Sequence, residues 1–368
     1  MPDKKDEIIS MQLDLIRSMT EKNLKSIGQD FWGTPAAPSA PKSGAKEPPG
    51  AAPAADTAKN TPPTQASAGG KAPGTPAEEV PEKEDIEELK KELDSYIGLE
   101  SVKAEVKNLI NIATVYQMRR AHDLPTADMS LHMVFSGNPG TGKTMIARFM
   151  ARVYHSLDIL SKGQLVEVDR SGLVAGYVGQ TAIKTTKVLE KAKGGVLFID
   201  EAYTLTSKAE NDFGFEAVDT VLKFMEDNRD DLVVIVAGYT RLMREFIDSN
   251  PGLQSRFNKY LQFDDYTAGE MTGIFALQCK KNCYELDADA ESELKEYLKM
   301  AAEAAGEFGN ARGVRNVFEK ILTAQANRLT QTENITREEL MRITKSDVRI
   351  AAYGKEELPG EKTEEKNV

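Results

Sequence analysis

Leu131-His132-Met133-Val134-Phe135-Ser136 runs directly into Gly137-Asn138-Pro139-Gly140-Thr141-Gly142-Lys143-Thr144. The first six residues are the largely apolar run of a buried strand. The next eight fit the pattern Gly, four residues, Gly-Lys-Thr. Beyond them Ile146, Phe149, Met150 and Val153 form the apolar face of a helix. A glycine-rich loop between strand and helix turns tightly enough to aim backbone N–H groups at phosphate oxygens. In such a loop the Lys143 ammonium neutralises β/γ-phosphate charge, and the Thr144 hydroxyl is placed to coordinate Mg²⁺. The expected nucleotide contacts run from Gly137 through Met145, with ATP and Mg²⁺ as the bound species.

Four more strands are legible outward from this stretch: Gln164–Asp169, Val196–Asp200, Leu232–Ala237 and Tyr260–Phe263. Helical segments separate them. Alternating strands and helices predict an α/β fold, a parallel five-stranded sheet with helices on both faces. Val196-Leu197-Phe198-Ile199 delivers Asp200 and Glu201 to the carboxyl end of its strand, the ligand side of such a sheet. Asp200 is placed to hold the metal's water shell, and Glu201 to orient and activate the water that attacks the γ-phosphate. From Thr267 onward the strands stop and the chain reads as all helix to Tyr353. Thr267-x-x-Glu270 and Thr336-x-x-Glu339 have the pattern of capping boxes there.

The flanks are of a different kind. Eleven of the 16 prolines lie between Pro35 and Pro81, and Thr34–Glu79 contains no aromatic residue, Ile, Leu, Met or Val. Such a segment cannot bury enough apolar surface to offset its ordering entropy. The expected organisation is an amphipathic N-terminal helix region at 1–33, a disordered Pro/Ala-rich linker at 34–81, a nucleotide-binding domain at 82–263, a helical domain at 264–354 and a flexible acidic tail at 355–368. The net charge is −11. It is concentrated in residues 78–94 and in the tail, so the case against a nucleic-acid partner rests mainly on missing motifs. No apolar run reaches the ~20 residues of a membrane span. The acidic first residues do not resemble a targeting peptide, so a cytoplasmic protein is expected. Cys279 and Cys283 are expected to share a helix face, too sparse a set for a metal site.

The phosphate loop, Asp200-Glu201 and the helical segment behind them resemble an AAA+ ATPase. Leu93–Lys103, Gly176-Tyr177-Val178-Gly179-Gln180-Thr181, Gly194–Tyr203 and Asn250–Phe257 are similar to the CbxX/CfxQ family within it. The resemblance implies a P-loop NTPase with a small helical lid. It implies ATP hydrolysis in a ring hexamer that remodels a protein partner, the partner's identity left open between Rubisco, a sporulation factor and others. An ATP-switched scaffold that recruits its partner through the N-terminal helix is the alternative. By the same resemblance Arg256 is the arginine finger, with Arg229 a rival, and Arg312 is the second sensor. Ile97 and Gly98 contact the adenine side, while Tyr177 and Val178 line the pore. The first sensor is Tyr239 or Thr240.

Overall fold

The computed structural model describes residues 81–354 apart from 127–129, 178, 208–211, 304–306 and 333. The expected N-terminal helix region, nearly all of the linker, the tail and Val178 therefore lie outside the described residues.

Two helices lead in, α1 (Ile86–Ser95) and α2 (Glu100–Ala121). The α/β part then runs β1 (Met133–Gly137), α3 (Lys143–Ser156), β2 (Leu165–Val168), α4 (Arg170–Leu173), α5 (Thr181–Ala192) and β3 (Val196–Ile199). It continues, after a short 3₁₀ turn (Ala202–Thr206), with α6 (Gly214–Asp227), β4 (Val233–Gly238), α7 (Thr240–Asp248), α8 (Pro251–Arg256) and β5 (Lys259–Phe263). The five strands form one parallel sheet in the order β2-β3-β4-β1-β5. Every residue of β1, β3 and β4 is buried, as expected of strands covered on both faces.

Alternation along each strand splits the core in two. Met133, Phe135, Phe198, Ile235 and Leu261 pack toward α1, α2 and α3. Val134, Leu197, Ile199, Val234 and Val236 pack on the opposite face, with Leu189, Val218, Phe246 and Leu253 from the helices there.

The helical part comprises α9 (Ala268–Lys281), α10 (Ala288–Glu303), α11 (Asn310–Leu329), α12 (Arg337–Met341) and α13 (Lys345–Tyr353). Its core residues Met271, Phe275, Leu294, Val314 and Ile321 continue the first of the two cores without a break. Both expected capping boxes form, and a third closes between Thr344 and Asp347. The segment is not all helix. β6 (Glu285–Leu286) and β7 (Arg342–Ile343) pair in parallel, which seats Ile343 fully in the core. Two-residue strands are too short to carry a readable alternation. The cysteines also differ from expectation. Cys279 is buried on α9, whereas Cys283 lies past the helix end at φ 57 and is exposed, so the two share no face.

Residues 81–85 are fastened to the last turn of α3. His155 Nε2 lies 3.0 Å from the Pro81 carbonyl oxygen, the Glu84 N–H donates to Ser156 Oγ at 3.0 Å, and Lys83 pairs with Asp158. Arg152 forks onto both Glu84 and Glu92, through Nη2–Oε2 contacts of 2.5 and 2.6 Å.

Candidate nucleotide-binding site

The site is built at the carboxyl ends of β1 and β3, where the loops that leave the sheet converge. Gly137 ends β1 at φ 155, and a Cβ there would stand 2.3 Å from the Phe263 carbonyl oxygen of the neighbouring strand. Gly140 turns at φ 76, and its missing Cβ would stand 2.2 Å from the Gly309 carbonyl oxygen. Only glycine allows these two close approaches. Thr141 is fully buried, and its hydroxyl donates to the Asn138 carbonyl at 2.8 Å. The loop then opens α3, whose first-turn N–H groups have no acceptor within the helix.

Lys143 Nζ donates to the carbonyls of Gly137 (2.9 Å) and Asn138 (2.8 Å). Burial pushes this ammonium below its ordinary range. The Arg312 charge adds to the effect, and Asp200, Asp265 and Glu201 oppose it. The charges of Asp200, Glu201 and Arg312, all expected at the site, therefore act on Lys143.

Asp200 follows β3, held by its N–H donating to the Val168 carbonyl at 2.8 Å. Glu201 sits in the left-handed region at φ 49, ψ 41. Its N–H donates to Asp200 Oδ1 at 3.0 Å, and its carbonyl accepts from the Thr204 hydroxyl at 2.7 Å. A glutamate in that conformation is strained by about 1 kcal/mol, a cost that recurs at functional sites. The turn leaves Glu201 exposed. Thr144 and Asp200 present hard oxygen donors, a hydroxyl and a carboxylate, which suit Mg²⁺ with waters and phosphate oxygens filling its shell.

The two candidate first sensors differ in their surroundings. Tyr239 packs its ring 6.1 Å from that of Tyr203. The Thr240 hydroxyl accepts from Gln262 Nε2 at 3.2 Å, and Gln262 Oε1 accepts from the Ser136 hydroxyl at 2.8 Å, which links Thr240 to the residue before the phosphate loop.

On the opposite side of the loop, Gly98 and Leu99 turn at φ 64 and 61. Gly98 meets Glu270 and Tyr266, and Gly273 of α9 lies against Ile97. Tyr266 is buried, and its hydroxyl donates to the Thr141 carbonyl at 3.4 Å. Burial pushes this phenol up to about 12. Met145 packs along the core edge beside Gly142. Asp265, Tyr266 and Asn310 bind the loop to the helical part, and sequence reasoning missed all three. The only cue was their position beside readable signals, a capping box and a Gly-Asn-Ala-Arg run.

Arg256 is not brought to Lys143. It ends α8, ahead of β5, and its charge falls on His132 ahead of β1, so it lies at the amino ends of the strands, opposite to the loop. A five-residue strand separates the two ends by roughly 16 Å. Arg256 Nη2 donates to Glu226 Oε2 at 3.0 Å. Arg229, exposed in the turn before β4, lies at that same end. Tyr177 lies between α4 and α5 and is 74% exposed, and a Cβ on Gly176 or Gly179 would meet nothing within 4 Å. No helix among the described residues is long and apolar enough to cross a membrane.

Comparison with known proteins identifies the family. Residues 133–265 match the model of the ATPase family associated with various cellular activities (AAA), and residues 267–357 match that of the AAA lid domain. The chain is 41% identical over 277 residues to stage V sporulation protein K of Bacillus subtilis, covering 75% of this chain and 85% of that one. It is 40% identical over 269 residues to the chloroplastic ribulose bisphosphate carboxylase/oxygenase activase of Cyanidioschyzon merolae, covering 72% and 90%. The FIGL-1 AAA domain, solved with ADP, shares the fold at a TM-score of 0.50 and 19% identity, over 73% of this chain and 90% of that one. With a phosphate loop, a paired Asp-Glu and a helical lid on one continuous core, and with relatives of this identity over most of their length, the chain belongs to the CbxX/CfxQ family of AAA+ ATPases.

Proposed function

We propose that the protein hydrolyses ATP within a homo-oligomeric ring, a hexamer, and uses the cycle to remodel a protein partner. Residues 82–263 bind the nucleotide, and residues 264–354 swing as a lid. Gly137 through Met145 cradle the phosphates, Ile97 and Gly98 border the adenine, and Lys143 balances phosphate charge. Glu201 takes the proton of the attacking water, and Thr240, fixed through Gln262, orients that water. Mg²⁺ held by Thr144 and Asp200 supplies charge neutralisation at the phosphates. Arg312 reaches the γ-phosphate from the same chain. Arg256, a sheet-length away from its own Lys143, serves the site of the next subunit.

The observation that carries the remodelling reading is Tyr177, an aromatic side chain standing in solvent between two glycines with open space around them. A ring of such residues, with Val178, grips an extended peptide by apolar contact without demanding a sequence. The activase among the relatives acts, by its name, on ribulose bisphosphate carboxylase/oxygenase. The partner of this chain is likewise read as a folded protein.

The test uses Glu201→Gln, which should bind ATP without appreciable turnover, to capture the partner from the source cell. Tyr177→Ala should then retain most of the ATPase rate and lose release or remodelling of that partner. Loss of nucleotide binding in Tyr177→Ala, or full remodelling by it, refutes the pore assignment.

A further inference from the structure

One carboxylate collects three elements. Asp265, just after β5, accepts from Asn138 Nδ2 at 3.0 Å (Oδ1) and 2.8 Å (Oδ2), and from Asn310 Nδ2 at 2.8 Å (Oδ1). Asn138 belongs to the phosphate loop and Asn310 opens lid helix α11. The Asn310 amide also donates to the Pro139 carbonyl at 3.3 Å, and its Oδ1 accepts the Tyr266 N–H at 2.9 Å. Beside it the Ala311 N–H donates to the Gly140 carbonyl at 3.2 Å.

Three features set this cluster apart from an ordinary surface contact. Asn310 is 5% exposed, and its amide uses its oxygen and two donor contacts, so its orientation is dictated. Its backbone turns at φ 55, a left-handed conformation that asparagine adopts more readily than other side-chain-bearing residues, and this turn places the amide toward Asp265 and Pro139. And the link takes up only carbonyls and one side chain of the loop. The loop's N–H groups, the ones that meet phosphate oxygens, are not consumed by it.

We propose that Asp265 and Asn310 are positioning residues that latch the lid to the phosphate loop and thereby set where Arg312, two residues further along α11, stands relative to the γ-phosphate. The latch makes the seating of the loop and the angle of the lid a single variable. It rests on the reading of Arg312 given above.

A double-mutant comparison on the full chain tests it, with single-turnover hydrolysis as readout and thermal melting alongside. Asp265→Ala and Arg312→Ala should each slow hydrolysis, by up to ~10²-fold if the displacement approaches 1 Å. The double variant should lose less than the product of the two single losses, because part of the effect of Asp265 passes through Arg312. Multiplicative losses overturn the latch and leave the reading of Arg312 standing. A silent Arg312→Ala, with Lys143→Ala inactive, overturns that reading and the latch with it. If Asp265→Ala does not fold, Asn310→Gly replaces it in the same comparison, since it keeps the backbone turn at φ 55 and removes the amide. A loss less than multiplicative with Arg312→Ala supports the latch, and a multiplicative loss overturns it.

Discussion

His132 shows how one residue records its place in the fold. Burial, with the Arg256 charge adding to it, pushes its imidazole down to about 4. The neutral ring accepts the Val234 N–H at Nδ1, 3.0 Å away, and so joins the start of β1 to β4. In the unfolded chain the same ring takes up a proton near pH 6.5. Between pH 6.5 and 4 the unfolded state therefore binds more protons, and stability must fall as the pH falls through that window. His132→Asn keeps an acceptor and removes the titration. Urea midpoints measured at pH 7, 5.5 and 4.5 should decline less in the variant than in the parent, and parallel declines would show that the ring is not responsible. Little of this was legible beforehand, since a lone histidine before a strand has no signature. The tight strand–loop–helix turn from Gly137 to Lys143 was legible because its glycine spacing is local in the sequence. Asp265 and Asn310 were not, because their partners lie 44 to 171 positions away along the chain and polar contacts at that range leave no period.

At the scale of elements, the strands were readable because a doubly covered parallel strand must be apolar throughout, as β3 and β4 are. Helix starts at Thr267 and Thr336 were readable because a capping box is local. The β6–β7 pair was not, and it depends on α13 being held in place. That helix is fixed by Asp347, a fully buried carboxylate that accepts from Arg328 Nε and Nη2 at 3.0 and 2.8 Å and from the Thr344 N–H and hydroxyl at 2.9 and 2.8 Å. Asp347→Ala should destabilise the lid by about 2 kcal/mol, since it removes the partner of the partly exposed Arg328 and opens the cap together. Glu319→Ala breaks an exposed pair with Arg315 and should cost under ~0.5 kcal/mol. Chemical denaturation of both variants measures the contrast, and equal losses would mean that the buried pair contributes no more than the exposed one.

For the molecule as a whole, the separation of Arg256 from Lys143 has a consequence for mixtures. If each site draws Lys143 from one chain and Arg256 from the next, Lys143→Ala and Arg256→Ala chains should each be inactive alone. Mixed together they should regain a fraction of the parent ATPase rate, because some interfaces then pair an intact lysine with an intact arginine. Mixtures no more active than either parent variant, under conditions where subunits exchange, would count against a shared site.

The fastening of residues 81–85 also acquires a meaning at this scale. Helix α3 has 14 residues and is about 21 Å long. Its front end is Lys143, and its rear turn carries Arg152, His155 and Ser156, which hold Glu84 and the Pro81 carbonyl. A pull on the chain at Pro81 would thus load the far end of the same helix that begins at Lys143, so the strap and the loop from Gly137 to Lys143 lie at the two ends of one element.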